Sequence, residues 1–170
     1  MLAPVPLDAA LYEHLRALAG RIRRDRGEGP LTLHPTALVH EAWVKLAGHP
    51  GFESRLHFLR AAALAMRQVL VDAERARRAE RRGAGLSRTT LAGVGDTDTE
   101  FELVELDEAL SRLEAVDPEA AEVVLLRCFG GLTLEETAAA LGISERTVSS
   151  RWRHARAWLI HHLGLAAPSS

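Results

Sequence analysis

Residues 133–160 read TLEETAAALGISERTVSSRWRHARAWLI, and this stretch decides the fold. It reads as a helix, a three-residue turn and a second helix whose outer side carries arginines. Thr133 is placed to N-cap the first helix. Glu136, three residues on, completes a Thr-x-x-Glu capping box that satisfies backbone N–H groups otherwise left free. Ala138 is small where two helices must cross closely, and Leu141 is apolar. Gly142 can take the left-handed conformation that a tight turn demands. Ile143 plugs the turn and Ser144 caps the second helix. Val148 and Trp152 form an i, i+4 apolar pair facing inward. A helix-turn-helix needs this arrangement to lay its second helix in the major groove of DNA. An ordinary helical hairpin is the plainer alternative. It has no reason to combine cap, small residue, glycine and buried apolar residues at these offsets. Glu145, Arg146, Ser149, Ser150 and Arg153 then fall on the solvent side. A guanidinium can bond a guanine edge or a phosphate through two donors, and a serine hydroxyl can donate or accept at either.

Working outward, helix signals dominate and strand alternation is nearly absent. Leu7 to about Arg26 forms a candidate first helix with Leu11, Leu15, Leu18 and Ile22 on one face, ended by Gly27, Gly29 and Pro30. Pro35 and Thr36 start a second, with Leu38, Val39, Ala42, Trp43 and Leu46 as a wide apolar stripe, broken by the Gly48–Gly51 turn. A long helix begins near Ser54 or Leu56 and could run to Arg82. Its first half, LHFLRAAALAMRQVLV, is apolar almost all round and should be central. Its second half, DAERARRAERR, is polar and should project into solvent or onto a partner. Residues 83–99 hold four glycines and no clear period, which reads as a linker. Leu103, Leu106, Leu110 and Leu113 mark the next helix. Asp117-Pro118 makes an N-cap and first-turn pair for another, buried by Val124, Leu125 and Cys128 and closed by Gly130-Gly131. The expected fold is all-α: two small helical domains, 1–82 and 101–163, joined by a flexible acidic linker, 83–100, with a tail at 164–170.

The chain of 170 residues has a net charge of −2, which hides a polarised molecule. Arg60 to Arg82 carries +4, Asp96 to Glu122 carries −10, and Ser144 to His162 carries +3. An acidic segment between two basic ones implies a compact free protein with one or both basic faces partly masked. The bland alternative is that the carboxylates only solubilise the tether. Cys128 is the only cysteine, so no intramolecular disulfide can form, and an apolar setting makes it a small buried thiol. No signal peptide or membrane-spanning run is legible, which points to the cytoplasm and away from membranes. The eight histidines fall in no metal-ligand spacing, and no phosphate loop or nucleophile elbow appears. Neither an enzyme, a cofactor nor a metal is expected, and no catalytic residue is assigned.

Taken together, the two basic helical segments and the helix-turn-helix resemble an extracytoplasmic-function (ECF) sigma factor, of the sigma-70 type, of bacterial RNA polymerase. The resemblance covers about residues 7–163. It is nearest to the subgroup marked here by His34-Pro35-Thr36-Ala37-Leu38-Val39-His40-Glu41-Ala42-Trp43, then His57-Phe58, then Met66-Arg67-Gln68-Val69-Leu70-Val71-Asp72. Leu126-Arg127-Cys128-Phe129-Gly130-Gly131-Leu132-Thr133 is similar to the family's approach to its helix-turn-helix. The resemblance implies core RNA polymerase, through its β′ clamp and β subunit, and promoter DNA as partners. It leaves room for an anti-sigma protein.

By position, the resemblance implies that Leu38–Leu46 docks on the polymerase clamp, with Leu38, His40, Glu41 and Lys45 as contacts. The family often has Gln at the place of His40, while Trp43 and Leu46 can equally be core. It implies that the loop 49–55 and the following helix read the melted −10 element. The candidates there are Phe52, Ser54, Arg55, Arg60, Arg67, Gln68, Arg75, Arg77 and Arg78. A single-strand reader needs a base pocket and cations for the backbone. Phe52 could instead be a core plug, and the arginine run a solvated face. For the −35 element the candidates are Thr133, at a helix N-terminus near phosphates, with Ser144, Arg146, Ser149, Ser150 and Arg153. The alternative function is a stand-alone helix-turn-helix regulator that binds DNA without polymerase.

Overall fold

The computed structural model describes residues 35–80 and 103–164, together with residues 9, 12, 13, 15–17 and 19, which are helical. The linker expected at 83–100 and the tail beyond 164 lie outside the described residues. No β-strand appears among the described residues, and the architecture is all-α as expected. Helix α1 spans Pro35–Ala47 and α2 spans Arg55–Glu80. After the undescribed segment come α3 at Leu103–Val116 and α4 at Pro118–Val124. A five-residue π turn, Leu125–Phe129, continues α4. The helix-turn-helix is α5, Leu134–Leu141, and α6, Glu145–His162.

Local chemistry sets most boundaries. Proline opens α1 and α4, where its missing N–H costs nothing. Asp117 caps α4 by accepting from the Ala120 amide at 3.0 Å. The π turn ends where Gly130 N–H donates to the Leu125 carbonyl five residues back, at 3.0 Å. A Cβ on Gly130 would stand 2.4 Å from the Leu126 carbonyl oxygen, so that backbone approach requires glycine.

Helix α2 is the hub. It packs on α1, on α3 and on the π turn. One continuous buried cluster takes in Leu38 and Ala42 of α1, Phe58, Met66 and Leu70 of α2, and Leu106 and Leu110 of α3. It continues through Phe129 of the π turn to Leu159 of α6. The predicted leucine face of α3 is all inside: Leu103, Leu106, Leu110 and Leu113 are buried. A smaller cluster of Val123, Ala138 and Val148, flanked by Ile143, Leu141 and Trp152, fastens the helix-turn-helix to α4.

The second half of α2 departs from expectation. It does not simply project into solvent: Glu74 and Arg77 are buried, joined by two hydrogen bonds of 2.7 and 2.8 Å. Spacing of three residues on a helix puts the two side chains side by side, and opposite charges then make burial tolerable. Arg77 Nε, also buried, has no hydrogen-bond partner.

Candidate nucleic-acid interface

The helix-turn-helix is built as its residues dictate. Thr133 Oγ1 accepts from the Glu136 amide at 3.1 Å, and Glu136 Oε2 accepts from the Thr133 amide at 2.8 Å, which closes the capping box. Gly142 sits at φ 66°, in the left-handed region. Ser144 Oγ caps α6 by accepting from the Thr147 amide at 3.1 Å. Val148 and Ala155 turn inward, and Arg146, Ser150 and Arg153 turn outward and are exposed, with Ser149 half-buried beside them. Thr133 and Ser144 are exposed too, with their hydroxyls engaged in the caps. Any contact they make with an anion therefore runs through the helix ends they cap.

Two interactions that sequence reasoning missed hold α6 at its angle. The Arg127 guanidinium lies 4.5 Å from the Trp152 ring centroid, a cation–π contact. Arg151 reaches Glu119 of α4 at 2.7 Å. Both join residues far apart in sequence, so no local pattern announces them. His154 stands 3.5 Å from Asp117, and His162 stacks on Trp158 at 3.5 Å between centroids.

The residues expected to read the −10 element divide into three groups. Phe52 is fully buried, stacked on His49 at 4.8 Å and edge-on to Phe58 at 5.2 Å. In this arrangement its ring is a core plug and is not offered to a base. Ser54 is exposed and caps α2, accepting from the His57 amide at 3.1 Å, and Arg55 and Gln68 are exposed. His49 fixes the loop by donating from Nδ1 to the Gly51 carbonyl at 2.6 Å, and the Glu53 amide donates to His57 Nδ1 at 3.2 Å.

The arginines of α2 are the third group, and carboxylates from the second half meet most of them. Arg67 donates from Nε to Asp107 Oδ1 at 2.7 Å and from Nη1 to Glu114 Oε1 at 2.6 Å. Its Nη2 donates to the Asp107 carbonyl at 3.0 Å and to Ser111 Oγ at 2.8 Å. Its side chain is 8% exposed. Arg60 pairs with Glu122, and this hydrogen bond raises the Arg60 pKa above its ordinary value against the opposing effect of burial. Arg75 lies 3.6 Å from Asp107 and 3.9 Å from Asp72. Arg77 is buried on Glu74, and Arg78 approaches the same carboxylate at 3.8 Å. Magnitudes rank these pairs. Breaking a buried pair costs about 3–5 kcal/mol, whereas exposed pairs such as Arg75–Asp72 contribute about 0–1 kcal/mol. The Arg77–Glu74 pair, buried on both sides, is of the first kind, while Arg67, buried itself with its four hydrogen bonds running to α3, is the anchor between α2 and α3. An open cavity of about 230 Å3 beside it is lined by Leu64, Gln68, Val71, Asp72 and Arg75.

On α1, His40, Glu41 and Lys45 are exposed as a polar face, while Leu38 is buried and supports that face from below. Trp43 is half-buried and meets Tyr12 edge-on at 5.3 Å. Val44, unremarked by sequence reasoning, is 58% exposed between Glu41 and Lys45. Among the described residues no helix is long and apolar enough to cross a membrane, and no three metal-ligating side chains converge.

Comparison with known proteins adds the family. The model of the ECF sigma factor family matches residues 6–164. No curated protein matches the chain in sequence. Among solved structures, the sigma factor RpoE in complex with the anti-sigma factor NepR from Bartonella quintana is similar at 20% identity. That match covers 93% of this chain and 94% of that one, with a TM-score of 0.39.

Proposed function

The chain belongs to the ECF sigma factor family, and from that membership we propose how its surface divides the work of a sigma factor. As an RNA polymerase sigma factor it binds the core enzyme and directs promoter-specific initiation. The proposed division runs along the two halves, 1–82 and 101–163, and the HPTALVHEAW-type subgroup suggested by residues 34–43. His40, Glu41 and Lys45, with the exposed Val44 among them, form the docking face for the β′ clamp. Ser54, Arg55, Gln68 and the α2 arginines Arg60, Arg67, Arg75 and Arg78 serve the melted −10 strand, while Arg77, buried on Glu74, drops out of that set. Arg146, Ser149, Ser150 and Arg153 read the −35 duplex. The cytoplasm, where core polymerase resides, is the location this work requires.

One observation carries the reading: α6 is capped, pinned by Arg127 and Arg151, and presents Arg146, Ser150 and Arg153 outward from a helix-turn-helix. That arrangement meets the geometric needs of a major-groove reader. A stand-alone regulator is not favoured, because the family match spans both halves. Run-off transcription with purified core polymerase on genomic fragments tests the assignment. Discrete start sites that depend on the chain are expected, and substituting Glu41 and Lys45 together should abolish them while sparing DNA binding. Tight DNA binding with no effect on where polymerase starts would sink the reading.

A further inference from the structure

We propose that the acidic stripe of α3 and α4 is an internal stand-in for the nucleic-acid backbone, which clasps the basic face of α2 and keeps it from single-stranded DNA in the free protein. The proposal rests on α2 being a nucleic-acid face, as assigned above. Arg60, Arg67 and Arg75 succeed one another at seven and eight residues, close to two helical turns each, so they form one line along α2. Asp107, Ser111 and Glu114 recur at four and three residues and form one line along α3, with Glu122 further along on α4. The lines meet in antiparallel order. Arg60 takes Glu122, Arg67 takes Glu114 and Asp107, and Arg75 takes the other oxygen of Asp107.

Arg67 shows that the contact is a complete substitute and not a casual approach. A guanidinium has five N–H donors, and four hydrogen bonds from Arg67 end on the α3 stripe. Two carboxylates, a carbonyl and a hydroxyl surround it much as phosphate oxygens would. With its side chain 8% exposed, it can reach a DNA strand only after α3 leaves. The apolar cluster shared by α2 and α3 and the ion pairs across them hold the closed state together, so neutralising the carboxylates weakens it. The α6 face is left out of this closure, since Arg146, Ser150 and Arg153 are exposed. The free chain therefore has its α2 face closed at Arg67, with Arg60 and Arg75 paired to carboxylates but still about half exposed, and its α6 face open.

The test uses the full chain and a dye-labelled single strand carrying the non-template −10 sequence of a promoter the chain serves, read by fluorescence anisotropy across a salt series. The clasp variant is Asp107→Asn with Glu114→Gln and Glu122→Gln. The control removes the same charge elsewhere in the second half, by Glu105→Gln, Glu108→Gln and Glu135→Gln. The clasp variant should bind the strand on the order of tenfold more tightly than the control. Its log–log salt slope should be steeper by about 0.7 for each arginine released. Equal gains in both variants would overturn the clasp, since only net charge would then matter. A scrambled strand separates the two readings. A gain for both strands supports the clasp and denies α2 a −10 preference, whereas a gain for neither overturns the clasp whatever α2 reads. If the triple variant does not fold cooperatively, Glu122→Gln alone carries the same sign of prediction at the rim. An unchanged salt slope there would overturn the proposal.

Discussion

At the scale of single residues, Arg153 and Cys128 make opposite demands on their surroundings. Arg153 is exposed on α6, so its loss should leave folding intact. Arg153→Ala should cost about 1–3 kcal/mol of discrimination at one base pair if the side chain meets a base edge. If it meets a phosphate, the loss should be uniform across sequences, with a shallower salt slope. Competition binding on a −35 duplex and its single-position variants decides between them. An Arg146, Arg153 double variant that transcribes normally from a −35-dependent promoter would remove both from the site. Cys128 is the reverse case. Burial pushes its thiol up from 9.0 to about 12, and nearby Arg127 offsets this only in part. The folded state thus holds the proton more tightly than the unfolded one. The stability this gives is fully present below about pH 9 and is lost as pH rises toward 12. Denaturant midpoints should fall across that window in the native chain and not in Cys128→Ala. Iodoacetamide should also leave the native thiol unmodified at neutral pH, because the thiolate is the nucleophile.

At the scale of elements, the helix-turn-helix was legible because its determinants are local. Thr133, Glu136, Gly142, Ser144 and Val148 each act within a few residues of their own position, and each stands where its chemistry requires. Thr133→Ala should cost about 1 kcal/mol through loss of the cap. Urea unfolding would show it, and Thr133→Ser should recover most of the loss. An Ala variant as stable as the parent would mean that the capping box is idle. The second half of α2 was less legible. The run DAERARRAERR looks like a solvated face when read alone, and only the packing of distant helices decides that Glu74 and Arg77 go inside. Phe52 was open to two readings, and its aromatic neighbours His49 and Phe58 decide for the core.

At the scale of the whole molecule, charge segregation was visible in the sequence, but its register was not. A net −10 segment announces an attraction. It does not say that Asp107 and Glu114 will share Arg67, because that pairing spans 40 and 47 residues. The closed arrangement predicts a radius of gyration near the roughly 16 Å of a compact chain of this length. The clasp variant should be larger in small-angle scattering, while the charge-matched control should not. Equal radii for all three proteins would show that the ion pairs set no part of the overall shape.

The π turn at Leu125–Phe129 bears on descent as well as on packing. Such a turn carries one residue more than the α-helical turn it replaces, so it has the form of a single-residue insertion into a regular helix. Excising that residue would restore a regular helix and swing the chain beyond it by about 100° around the α4 axis. Leu132, which the turn delivers into the core, would then point elsewhere. Gly130, fitted against the Leu126 carbonyl, would lose the approach that excludes a side chain. Insertion and glycine are therefore expected to have been inherited as a pair. Relatives with a residue fewer between Val124 and Thr133 should carry side chains at the position of Gly130.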